Sequence, residues 1–154
     1  MQMYEDVLGA LIDRMESFVG EDMGIEILDK NICTKVCEFE LLDCMTIIGL
    51  GGDLNALTVF SFDTFLIDKL VESFIYGEVS QEERAELSKE IPAEVANTVI
   101  GNAIPNFPNS GKGATITPPI IIEDAKLARK LKDSSVLMAM IKTKYGNAQC
   151  ALLN

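Results

Sequence analysis

IIGLGGDLNALTVFSF, residues 47–62, sets two apolar runs on either side of Gly51-Gly52-Asp53. Glycine accepts the positive φ that a tight turn requires, so the spacing predicts a β-hairpin turning at 51–53. The stretch CEFELLDCMTIIGL (37–50) carries the strand-like character further upstream. A second hairpin follows near the C-terminus, where VLMAMIKTKY (136–145) meets Gly146-Asn147 and then AQCALL. Its turn is expected at 146–147.

Working outward, the period of the apolar residues changes. Val7, Leu8, Leu11, Ile12, Met15, Phe18 and Val19 recur at three- and four-residue steps, which predicts an amphipathic helix over 4–20. Residues 63–76 read as a second helix, with Asp63 as its cap and Phe65, Leu66, Leu70, Phe74 and Ile75 inward. Gly77 stops it. Ser80 and Glu83 form the S-x-x-E capping pattern, opening a third helix that runs towards Ile104 and ends at Pro105. Pro92 lies inside it and lacks the N–H the ladder needs, so a kink or restart is expected there. Residues 114–123 (ATITPPIIIE) read as an extended segment at an edge, since proline cannot donate to a central ladder.

Helix and hairpin thus occur twice in similar order, which suggests an internal duplication. The expected fold is α+β: one mainly antiparallel sheet with long helices packed on it, related by a pseudo-twofold axis. The 154 residues fit a single domain, 1–154, large enough to hold a core without metal or disulfide.

Composition restricts the partners. The chain has 13 basic against 24 acidic residues, a net charge of −11, and no basic stripe with interleaved aromatics. Such a field repels phosphate backbones, so no nucleic-acid partner is expected. The apolar runs are far shorter than the ~20 residues of a membrane span. The acidic start MQMYEDVLGAL does not resemble a signal peptide. A cytoplasmic protein without a membrane partner is expected. Cys33, Cys37, Cys44 and Cys150 read as reduced, mostly buried thiols. The chain has no histidine, so Ser-His and Cys-His nucleophile pairs are excluded, and CTKVC lacks the spacing of a zinc site. GLGGD (49–53) reads as a turn, and GKGAT (111–115) departs from the phosphate-loop pattern.

EIPAEVANTVIGN (90–102) departs from this apolar theme. At about 100° per residue, Glu90, Glu94, Asn97 and Gly101 share one side of the helix, flanked by Ala93, while Val95, Ala96, Val99 and Ala103 share the other. Glu94 and Asn97, at i and i+3, can touch one ligand together. The first helix offers Glu5 but Leu8 where a second asparagine would stand, so only one half carries the row. From the residues alone, two readings stay open: an ordinary solvated face, or a docking face kept despite unfavourable helix chemistry.

E-V-A-N resembles the E-x-x-N core of the CheC/CheX/FliY family of chemotaxis phosphatases, and its context is most similar to CheX. IIGLGGDLNALTVFSF (47–62), a helix ending in YG (76–77) and ITPP (116–119) fall in the same order, and the resemblance covers about residues 4–153. In that family an Asp or Ser stands four residues before the glutamate, and a proline follows the asparagine by a little over twenty residues. Glu90 takes the first position here, adding charge and length, and Pro118 and Pro119 supply the second.

The resemblance implies a CheC-like fold and hydrolysis of the aspartyl phosphate on a CheY-like receiver domain. It assigns Asn97 to positioning the attacking water and Glu94 to pairing with a lysine of the partner. Glu90, Ala93 and Gly101 would contact that partner. The phosphorylated receiver would bring its own Mg2+, so the chain needs no metal ligands or cofactor. The resemblance also implies a homodimer formed through sheet edges and one site per chain. A non-catalytic adaptor binding a receiver, or a flagellar or signalling partner, through the same face is the alternative.

Overall fold

A computed structural model describes residues 2–33, 42–75, 77–122 and 136–154. The first apolar stripe forms helix α1 (Gln2–Ser17), with Val7, Leu8, Leu11, Ile12 and Met15 buried. A wider π-helical turn, Phe18–Asp22, completes the segment and buries Val19. Strand β1 (Ile27–Cys33) follows, unannounced by its sequence: its five central residues are all exposed, so no alternation marks it.

The hairpin at the centre of the sequence is present. Strand β2 (Cys44–Gly52) pairs with β3 (Ala56–Phe62) from Cys44↔Phe62 to Leu50↔Ala56. Gly52 has φ +68°, and a Cβ there would collide with the backbone carbonyl of Gly113. Glycine is therefore required by conformation and space at once.

Helix α2 (Thr64–Phe74) buries Leu66, Ile67, Leu70 and Val71. Two residues expected inward are not. Phe65, one step off that stripe, is 78% exposed, and Phe74, the last residue of the helix, is 42% exposed. Asp63 does not cap the helix with its side chain. Its carboxylate accepts the Asn147 N–H at 2.6 Å, while Asp43 accepts both the backbone N–H and the hydroxyl of Thr64. The cap is supplied from across the fold.

Helix α3 (Gln81–Ala103) starts where the capping pattern places it, with the Ser80 hydroxyl accepting the Glu83 N–H at 3.1 Å. It runs on through Pro92 without the expected interruption. Pro92 is buried, as are Ile91 and Ala93 beside it, and this burial offsets the missing hydrogen bond.

The segment 114–123 divides into β4 (Ala114–Ile116) and β5 (Ile120–Ile122), with Pro118 and Pro119 between them. Both pair antiparallel with β2. The last hairpin joins β6 (Val136–Thr143) to β7 (Gly146–Leu153). Its turn is Lys144-Tyr145, two residues before the expected position, because Thr143 pairs with Gly146 and the glycine already belongs to the strand. Gly146 takes φ +119° directly after the turn.

Among the described residues these strands make one seven-stranded antiparallel sheet in the order β1-β6-β7-β3-β2-β4, with β5 also on β2. Ile48, Leu50, Phe60, Phe62, Leu137, Ile141 and Leu152 meet the helices in the main core. Met45, Ile47, Val59, Val136, Ala151 and Leu153 form a second cluster on the opposite face. Burial on both faces accounts for strands that read as continuous apolar runs.

The order carries the duplication. Pairing β3 with β7 at the centre puts hairpin β2–β3 on one side and β6–β7 on the other. The edge strands are exchanged: β1 from the first half completes β6, and β4 with β5 from the second half complete β2. Helix α1 packs over β6 and β7, and α3 over β2 and β3, so a twofold rotation at the β3–β7 seam relates the halves.

Of the cysteines, Cys150 is buried and burial pushes its thiol well up, while Cys44 is half-buried. The expectation of reduced thiols fails at Cys33, which is disulfide-bonded at the end of an exposed strand. Cys37, Tyr76 and the start of CEFELLDC lie outside the described residues.

Candidate functional site on helix α3

The second half of α3 sorts its residues by face. Ile91, Pro92, Ala93, Val95, Ala96, Val99, Ile100 and Ala103 are buried. Glu90, Glu94 and Gly101 are exposed and Asn97 is half-buried. The wheel is thus matched for four of its five front residues. Ala93 is the exception: at 7% exposure it belongs to the buried side, because the core stripe of this helix is wide.

Glu94 and Asn97 lie on adjacent turns of one face, and both side chains reach the surface. The carboxylate offers acceptors only, whereas the carboxamide offers both an acceptor and donors. Gly101 continues the row by one turn. A Cβ built there meets nothing within 4 Å, so the absence of a side chain owes nothing to packing within this chain. Towards the N-terminus the face continues through Glu86 and Glu82, both exposed at four-residue steps. Like charges at that spacing destabilise an isolated helix, so the row carries a local electrostatic cost.

Pro92 and Ser88 line a small cavity of about 90 Å³ with Met45, Thr46 and Ile121 of the sheet. The Ser88 hydroxyl donates to the Arg84 carbonyl at 2.9 Å. The ITPP segment is fastened to β2 through Gly49, whose N–H donates to Thr117 Oγ1 at 2.8 Å and whose carbonyl accepts the Thr117 N–H at 3.0 Å. Pro118 is exposed beyond that clamp, and Pro119 is half-buried.

Helix α1 presents the counterpart of the row, one residue away from where E-x-x-N spacing would seek it. Leu8 is fully buried and cannot face a partner. Matching the buried residues of the two helices pairs Val7 and Leu8 with Val95 and Ala96, Leu11 and Ile12 with Val99 and Ile100, and Met15 with Ala103. The exposed counterparts of Glu90, Glu94, Asn97 and Gly101 are therefore Gln2, Asp6, Gly9 and Asp13. Burial phase, invisible in the motif alone, reveals this register.

Among the described residues no three His, Cys, Asp or Glu side chains converge to hold a metal ion. No helix among them is long and apolar enough to cross a membrane.

A family model described as chemotaxis phosphatase CheX matches residues 44–142, which include the whole of α3. No curated protein matches the chain. Solved structures of similar fold include a CheC-like superfamily protein from Shewanella sp. PV-4, at 15% identity and TM-score 0.69 over 96% of both chains. Another is the CheX–CheY–BeF3–Mg+2 complex from Borrelia burgdorferi, at 20% identity and TM-score 0.69, covering 97% of this chain and 96% of that one. CheX from Desulfovibrio desulfuricans matches over the full length of both chains at 16% identity and TM-score 0.66.

Proposed function

The chain belongs to the CheX family of chemotaxis phosphatases, and from that membership we propose that it hydrolyses the aspartyl phosphate of a CheY-like receiver domain. The observation that carries the reading is the pair Glu94 and Asn97, side by side on the exposed face of a helix whose other face is sealed in the core. In the Borrelia burgdorferi complex a CheX chain of similar fold is bound to CheY.

An acyl phosphate is already activated, so catalysis reduces to positioning a water in line and accommodating charge. Asn97 accepts a hydrogen bond from the water through its side-chain oxygen and donates through its amide. The water oxygen forms the new bond to phosphorus, the bond from phosphorus to the aspartate oxygen breaks, and inorganic phosphate leaves the restored carboxylate. Glu94 pairs with a lysine of the receiver and fixes the angle at which Asn97 enters. Glu90 extends the acidic contact, and Gly101 admits the partner's backbone. Buried Ala93 contributes no side chain to it. The receiver's Mg2+ offsets charge on the phosphoryl oxygens, and this chain supplies no cofactor. The protein acts in the cytoplasm as a homodimer joined through a sheet edge, for which β1, with Leu28 and Ile32 exposed, offers the surface.

The test is the decay of a phosphorylated CheY-type receiver with and without the protein. Decay accelerates with wild type. Asn97→Ala removes the acceleration while leaving binding intact, and Glu94→Ala raises the concentration needed. Binding without acceleration by wild type, across the receivers of the host, would overturn hydrolysis and leave a non-catalytic adaptor.

A further inference from the structure

We propose that the cleft between α2, the first turn of α3 and the β6–β7 turn docks a short extended segment of a partner protein that sets a carboxylate beside an aromatic side chain. The cleft has a volume of about 960 Å³. Arg84, its contribution from α3, precedes Glu94 by about 15 Å along the helix axis, so the cleft stands apart from the row that carries Asn97.

Three observations carry it. First, Phe65 forms part of the wall and is 78% exposed. Leu66, Ile67, Leu70 and Val71 make the buried stripe of α2, so the core does not use that ring. Tyr145, half-buried, supplies a second ring, with the ammonium groups of Lys69 and Lys144 each 5.2 Å from its centroid. Second, the frame is held by the fold. Asp43 accepts the N–H and hydroxyl of Thr64, and Asp63 accepts the Asn147 N–H. The Thr143 hydroxyl accepts the Tyr145 N–H and donates to the Gly146 carbonyl. Two carboxylates of the cleft are thereby engaged. Third, the charge left over is cationic. In a chain of net charge −11, Lys69, Arg84 and Lys144 meet in one cleft. Glu72 pairs with Lys69 at 3.6 Å, but among the described residues neither Arg84 nor Lys144 forms an ion pair. Arg84 is half-buried, where hydration stands in less fully for a partner.

These features define the occupant. The guanidinium fork of Arg84 matches a carboxylate and takes it bidentately, and Lys144 adds a second cation. An aromatic ring beside that carboxylate packs on Phe65 and Tyr145, removing apolar surface from water on both sides. Asp68 accepts a backbone N–H of the extended segment. Its charge also opposes a polyanion, so a single carboxylate suits the cleft better than a phosphate-rich ligand.

The experiment titrates the full chain, followed by amide NMR, with the capped tripeptide acetyl-Glu-Phe-Ala-amide. Acetyl-Lys-Phe-Ala-amide, acetyl-Glu-Ala-Ala-amide and inorganic phosphate are run beside it. The expected result is saturating shifts at residues 64–69, 84 and 144–146 with the first peptide, and affinity about tenfold weaker with the other two. Phe65→Ala and Arg84→Ala each weaken the first peptide by a similar factor, and spectra unchanged away from the cleft show that both variants fold. Absence of saturating shifts, equal response to the lysine peptide, or undiminished affinity in both variants overturns the proposal. Phosphate shifting the same residues as strongly as the peptide would reduce the cleft to an anion site and overturn it too. Receiver dephosphorylation enters none of these readouts, so this proposal and the function proposed for α3 fail separately.

Discussion

Gly101 separates two demands that a single residue must meet. It lies inside a helix, its added Cβ would meet open space, and its φ is not in the left-handed region. Gly101→Ala should therefore stabilise the free protein by about 1 kcal/mol and raise its melting temperature by roughly 2–4 °C. If a partner's backbone approaches there, the same variant slows receiver dephosphorylation, and thermal melting and phosphate decay move in opposite directions. Gly52 behaves otherwise. With φ +68° and the Gly113 carbonyl against it, Gly52→Ala should cost more than about 2 kcal/mol in chemical denaturation, because the hairpin and the 111–113 loop must separate. The sequence announced Gly52, since a turn glycine has a local signature. It could not show that Ala93 is buried, because the width of a core stripe depends on what the sheet presents to it.

The ties between elements make their own prediction. Lys30 of β1 reaches Glu16 at 3.2 Å and Asp13 at 3.5 Å, linking the edge strand to α1. Its hydrogen bond to Glu16, with the attraction of both carboxylates, raises its pKa above the ordinary 10.5 against an opposing desolvation. A raised cationic pKa gives stability that is fully present below 10.5 and fades as pH rises through the folded-state value. The contact is partly solvated, so its contribution is small and falls with salt. Wild type and Lys30→Met should therefore converge in melting temperature above that pH, and at high salt below it.

Elements with internal patterning were readable in advance: the stripe of α1, the Ser80 cap of α3 and the central hairpin, although its connection is 53–55 and Gly51 and Gly52 already belong to β2. β1 was not, because five exposed residues in succession carry no periodic mark and the strand exists only by pairing with β6. Asp43 capping α2 from outside, and the continuity of α3 through Pro92, likewise depend on neighbours distant in the chain.

At the scale of the whole molecule, the two halves meet at the β3–β7 seam. Phe60 is fully buried there, pairing with Cys150 in register. Phe60→Ala should cost about 3–5 kcal/mol and lower the denaturant midpoint, with no direct effect on the α3 face. Activity per folded molecule would then stay unchanged while the folded fraction falls.

The exchange of edge strands has a consequence for how the protein comes apart. Each half lacks a strand that only the other can lend, as in two clasped hands where neither grip survives alone. A half cannot peel away and leave the remainder intact. Near the midpoint of denaturation the population should divide into molecules that are whole and molecules that are unravelled. A chain cut in the 77–80 linker should keep its shape only while both pieces remain entwined.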